Sequence, residues 1–284
     1  MALLDAGTAR AVMPETRGGL LALVTALAQP RIAGLAAFVV YFLRAAISPN
    51  HFGHTNVAYF NLLADAFLHG QLDLRLTPWN TVDLVQYGGK LYPYWPPFPA
   101  ILITPLVALF GVGVSDVLYT VVLGALSIAL LARLLLALDE TGIAPLDAAR
   151  RGIIVAACAF GSVLLILSPI GAVWYSAQIV GWSCVLCAAL AALTRTGKLG
   201  YFLTGLAFAC ALATRLPLLF NGVWLAYYLL RRDWPRPARA AHPRRGRAPA
   251  DRGGARPLRL VQRRPVREPD RTRPGLAPAR RATA

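Results

Sequence analysis

A helix needs about 20 consecutive apolar residues to cross the hydrocarbon core of a bilayer, and the runs near that length restrict this chain's fold most. They fall at 32–47, 98–114, 117–138, 152–170 and 173–193, the last two hinged at Ser168-Pro169. A longer stretch, 201–230, exceeds one span and is interrupted by Arg215-Leu216-Pro217, so it reads as two short or kinked helices. About seven spans result. Composition agrees, with 57% hydrophobic residues, 15% charged residues and a mean hydropathy of +0.53. The expected fold is an all-α polytopic membrane protein, multi-pass in the cell membrane. Residues 20–29 are apolar but too short to span, and no convincing cleavage site follows them. The region 1–31 therefore reads as an interfacial lead-in.

The longest polar interruption lies between the first two spans, at 51–99. It carries three Asp, three His, one Lys, two Trp and four Tyr. A loop of that length with its own structure is usually functional. Its first part predicts a helix over 55–69. Phe60, Leu63, Ala64 and Phe67 form an apolar stripe, and Asn61, Asp65 and His69 recur at every fourth position on a polar one. Thr55 or Asn56 is placed to cap its start and Gly70 to end it. Such a helix is expected on the membrane surface, apolar side down. Gly88-Gly89 between strand-like runs predicts a β-hairpin over 83–95. Pro96, Pro97 and Pro99 then stiffen the approach to the second span.

The domain organisation is thus a lead-in at 1–31, a transmembrane domain at 32–230 with an extracytoplasmic loop at 49–98, and a tail at 231–284. Arg10, Arg17 and Arg31 favour a cytoplasmic amino terminus, although Arg150-Arg151, Arg195 with Lys198, and Arg231-Arg232 also favour the inside. The net charge of +16 is concentrated in the tail, which holds 17 of the 29 basic residues, all Arg, and 4 of the 13 acids. Its Arg, Pro, Ala and Gly content is that of an out-of-frame reading of a GC-rich gene, or of a disordered basic tail. Neither builds a packed core. A nucleic-acid partner rests wholly on that tail and is not expected. The four cysteines, Cys158, Cys184, Cys187 and Cys210, lie in apolar runs and read as small residues at helix contacts despite one C-x-x-C spacing.

The order of features here is a single span, the surface helix "YFNLLADAFLHGQLDL", the aromatic hairpin "YGGKLYPYWPPFP" and a run ending "ALFG". Over roughly 50–112, and more weakly through "LATRLPLL" at 212–219, the chain resembles the bacterial C-type glycosyltransferases related to protein O-mannosyltransferases and lipid A aminoarabinose transferases. The resemblance implies transfer of a sugar from a polyprenyl-phosphate donor to a glycan, lipid or protein acceptor at the outer face of the cytoplasmic membrane. Known members carry an acidic pair just before the surface helix, where this chain has His54-Thr55-Asn56, and many carry a Lys where this chain has Trp95. The usual base therefore does not transfer.

Such chemistry needs a carboxylate to take the acceptor's proton and a cation to hold the departing lipid phosphate. Asp65 is the candidate base, with Asp73 and Asp83 behind it. Lys90 and Arg215 are the candidate phosphate ligands, Arg215 because a cation within an apolar run is costly. His54, Asn56, Asn61, His69, Tyr92, Tyr94 and Trp95 are the candidate substrate contacts. A divalent metal is compatible with the reaction, but no ligand motif stands out. Each residue also has a plainer reading: a solvated helix face, a turn, or an interfacial aromatic belt. A non-enzymatic transporter or lipid-handling subunit is the alternative function, though no internal repeat is evident.

Overall fold

The computed structural model describes residues 15–48 and 51–233. The tail from residue 234 onward, and the first 14 residues of the lead-in, lie outside the described residues. Ten helices and one short 3₁₀ turn are described, and the only sheet among the described residues is a two-stranded hairpin.

Helix α1 (Glu15–Ala26) meets α2 (Pro30–Ala46) at a bend of 101°. Pro30 enforces the break, since it lacks the N–H that would continue the first helix but suits the first turn of the second. The surface unit follows as α3 (Tyr59–Leu68), β1 (Leu84–Tyr87) and β2 (Lys90–Pro93). Helix α4 (Phe98–Phe110) ends at Gly111, whose φ is 76°. Helix α5 (Asp116–Glu140) starts with the Ser115 hydroxyl accepting from the Leu118 N–H at 2.9 Å. Helix α6 (Ala148–Phe160), the single turn α7 (Leu164–Leu167) and α8 (Val173–Thr194) come next. Helix α9 (Gly197–Leu212) is separated from α10 (Asn221–Asp233) by the 3₁₀ turn Leu216–Phe220.

Two of these helices, α5 and α8, are long and apolar enough to cross a membrane, and the bent α1–α2 pair would make a third. The described residues are thus mostly helical, with α5 and α8 carrying the membrane-spanning character. The run at 98–114 yields only the 13 residues of α4, about 20 Å of helix. Gly111 in the left-handed region stops it there. The run at 152–170 does not form one helix. It breaks after Phe160, folds one turn, and reverses at Ser168 to Ala172.

Helix α5 packs against α2 and α8, while α1 crosses α6 and α9 lies along α8. Close approach is bought by small residues: a Cβ at position 34 would touch that of Ala129 at 3.0 Å, and one at 152 would collide with the Val24 carbonyl. Buried hydroxyls tie the helices laterally. Tyr41 donates to the Ala159 carbonyl at 2.9 Å, Ser127 and Ser183 share a 2.7 Å bond, and Thr120 donates to the Ser168 carbonyl at 2.8 Å. Each such bond contributes about 0.6 kcal/mol in a membrane setting. All four cysteines are free, and Cys187 is exposed rather than packed at a contact.

The surface helix is shorter than its periodicity suggests, because Thr55 does not cap it. Both the N–H and the hydroxyl of Thr55 are bound by the Asp116 carboxylate, at 2.9 and 2.5 Å. Ala58 takes the capping position without a side-chain bond. The other end follows expectation: Gly70 has a φ of 70°, its N–H reaches the Phe67 carbonyl, and the Gln71 N–H reaches that of Ala66. This is a Schellman closure. The apolar stripe of α3 packs on protein, not on lipid. Phe60, Leu63 and Ala64 bury against Ala100, Ile103 and Val107 of α4.

The hairpin pairs Tyr87 with Lys90 and Val85 with Tyr92, and Gly88 and Gly89 both hold positive φ, 57° and 75°. That double left-handed geometry is a type I′ turn, whose twist matches the strands it joins. Leu84 and Leu91 face the core, and Val85 and Tyr87 face out.

Candidate functional site

The expected polar groups of the surface unit are mostly spoken for. Asp65 accepts from the Arg75 guanidinium at 3.1 and 3.4 Å. Arg75 also donates to Nδ1 of His69 at 2.7 Å, so the Asp65 carboxylate, the imidazole and one cation form a single cluster at the carboxyl end of α3. Lys90, next to the hairpin tip, pairs with Asp73 at 3.2 Å. Asp83, with a φ of 66°, accepts from the indole N–H of Trp174 at 2.6 Å, which clips the hairpin to the first turn of α8.

Asn61, expected on an exposed stripe, is only 1% exposed. Its amide donates to the carbonyls of Val112 and Val114 at 3.0 and 2.7 Å, anchoring the link between α4 and α5. In this arrangement it has no face left for a substrate. Tyr59 plays a similar part. Its hydroxyl reaches the carbonyls of Asn80 and Val82, at 3.0 and 2.8 Å, and its pKa is raised from 10.0 by burial and secondly by the charge of Asp83.

Arg215 is placed differently. It sits between α9 and the 3₁₀ turn, half-buried, with its guanidinium 5.3 Å above the Trp95 ring. No carboxylate pairs with it among the described residues. The Nε1 of Trp95 is buried and lacks an acceptor among the described residues. Tyr94 packs edge-on against Trp95 at 5.9 Å. The Phe98 N–H donates to the Ala213 carbonyl at 2.9 Å, so the break in the last apolar run is tied directly to the start of α4. Arg215 and Trp95 are thereby brought together, while Asp65 faces Arg75 and Lys90 faces Asp73.

Two cavities are notable among the described residues. One, of about 180 Å³, is lined by His54, Asn56, Leu62, Pro78, Trp79 and Gly113, among others. The other is an apolar groove of about 550 Å³ between α4 and α5, walled by Leu102, Leu106, Phe110, Leu118 and Val122. Tyr119 lies at its inner wall with a buried hydroxyl that lacks a partner among the described residues. No group of three His, Cys, Asp or Glu side chains is placed to hold a metal ion among the described residues.

Sequence reasoning missed Asp116. It is 4% exposed, yet its carboxylate receives Thr55 twice and the Ala172 N–H at 3.0 Å. A lone acid directly after Ser115, at the start of a long apolar run, was the available signal. Arg75 and Trp79 were missed too, for they carry no motif.

No protein-family model matches the chain, and no curated protein or solved structure matches it.

Proposed function

We propose that the chain is a multi-pass protein of the cell membrane that takes a sugar from a polyprenyl-phosphate carrier and transfers it to an acceptor at the outer face. The observation that carries this reading is the Arg215–Trp95 pair: among the described residues, a half-buried cation without a carboxylate, stacked on an aromatic ring whose own N–H lacks an acceptor. Two unmet donors ask for an anion, and the position beside an apolar helix break suits a lipid phosphate better than a soluble one. The groove between α4 and α5 supports it, being apolar and about 550 Å³ in volume, as an isoprenoid or acyl chain would require.

In the transfer, the acceptor oxygen bonds to the sugar's anomeric carbon as the bond from that carbon to the phosphate oxygen breaks. The phosphate leaves on the lipid, its charge met by Arg215. The acceptor's proton passes to the carboxylate of Asp65, with His69 beside it and Arg75 fixing the orientation of both. An inverting transfer needs one such base, unlike the pair in glycosidases. The reaction needs no nucleic acid.

Proteoliposomes carrying the chain and a polyprenyl-phosphate hexose test this. Asp65→Asn keeps the shape of the side chain and should lower turnover about 10²–10⁴-fold while leaving donor binding in place. A lipid-handling subunit without chemistry, which the apolar groove would equally serve, would bind the donor and show no transfer in either form.

A further inference from the structure

Trp79 is 92% exposed, the most solvent-accessible of the large apolar side chains in the surface unit. Leaving an indole in water forfeits the burial that usually places it inside, and this one borders a cleft. The cleft lies where the approach to α3 passes the link between α4 and α5. His54 and Asn56 stand exposed on its rim, and neither side chain has a hydrogen-bond partner among the described residues. The hydroxyl of Thr55, the third polar group there, is already committed to Asp116. Among the described residues no Asp, Glu, Lys or Arg side chain lines the cleft.

We infer that this cleft binds a single neutral pyranose ring of a glycan, stacked on Trp79 and hydrogen-bonded by His54 and Asn56. A pyranose presents an apolar C–H face and an equatorial ring of hydroxyls that both donate and accept. The indole matches the first. The amide of Asn56 and the imidazole of His54, each holding a donor and an acceptor, match the second. The volume of about 180 Å³ admits one ring, and the exposed rim lets a longer glycan run on into solvent. The absence of a cation from the lining disfavours a phosphate, which distinguishes this cleft from the Arg215–Trp95 site. The site goes beyond the transfer reading and does not require it.

The test uses the full chain in nanodiscs. Saturation-transfer NMR and calorimetry are run with methyl mannoside, methyl galactoside and methyl N-acetylglucosaminide as probes, and with inorganic phosphate as the charged comparison. At least one neutral glycoside should bind saturably, with its ring C–H protons receiving saturation. Trp79→Ala should weaken that binding about tenfold, equivalent to about 1.4 kcal/mol, and Trp79→Phe should restore most of it. Since Trp79 packs on little, neither variant disturbs the core. His54→Ala and Asn56→Ala should each weaken binding by several-fold, and Arg215→Ala should leave it unchanged. The proposal is overturned if none of the three glycosides binds, if Trp79→Ala binds as the parent does, or if phosphate competes for the site. Binding of polyprenyl-phosphate hexose, measured in parallel, reports on the transfer reading separately.

Discussion

Asp116 and Thr55, 61 positions apart, share two hydrogen bonds through one buried carboxylate. The same carboxylate takes the Ala172 N–H, so the first turn of α5 holds the start of the surface unit and the start of α8 at once. Ala172 accepts a φ of 62°, and Gly171 one of 74°, to bring that N–H round. The negative end of the interaction also sits at the positive end of the α5 dipole, which favours it.

Removing this carboxylate should therefore be costly. Asp116→Ala strands two backbone N–H groups and a hydroxyl and should destabilise the chain by about 3 kcal/mol, whereas Asp116→Asn, which retains an acceptor, should cost less. Thermal unfolding in detergent measures the order, and limited proteolysis at 51–58 should show the surface unit released first. Equal stability for Asp116→Ala and the parent would mean that the node does not hold the unit.

The phenol of Tyr59 fixes the segment before the hairpin in its neutral form. Its pKa is raised above 10.0, so its contribution to stability is fully present below pH 10 and is lost as pH rises through the higher folded value. Ultraviolet difference spectra against Tyr59→Phe should show one late-titrating phenol, accompanied by faster amide exchange at 80–82. If the exchange rates there rise equally in the Phe variant, Tyr59 is not the group that titrates.

At the hairpin tip, Gly88 and Gly89 occupy left-handed backbone that an L side chain reaches only at a cost of about 1 kcal/mol each. Gly88→Ala and Gly89→Ala should raise amide exchange in Leu84–Tyr87 and Lys90–Pro93 without changing the unfolding of α5 and α8. Gly88→Asn should be milder than Gly88→Ala, since Asn tolerates that region better.

The elements governed by short-range rules were legible in the residues. Gly88-Gly89 announced the turn, Gly70 the end of α3, and Arg215-Leu216-Pro217 the break between α9 and α10, because each acts through its own backbone. What needed the third dimension was hidden. Thr55 looks like a cap until Asp116 is placed beside it, and Asn61 looks solvent-facing until the 112–114 link folds over it. The stripe of Phe60, Leu63 and Ala64 is as apolar toward α4 as toward lipid, so periodicity alone could not choose between them. At the candidate site, the value of Arg215 lay in being a cation within an apolar run, and that was readable. The pairing of Asp65 with Arg75 was not, since the ten-residue separation follows no helical spacing.

Binding of a polyprenyl-phosphate hexose to the chain in nanodiscs, compared between the parent and Arg215→Ala, tests the proposed function most directly. Saturable binding that weakens about tenfold or more on losing the guanidinium, a change of at least about 1.4 kcal/mol, is the predicted result, with Arg215→Lys falling between. A parent chain that does not bind the donor, or an Arg215→Ala variant that binds it equally well, would contradict the account.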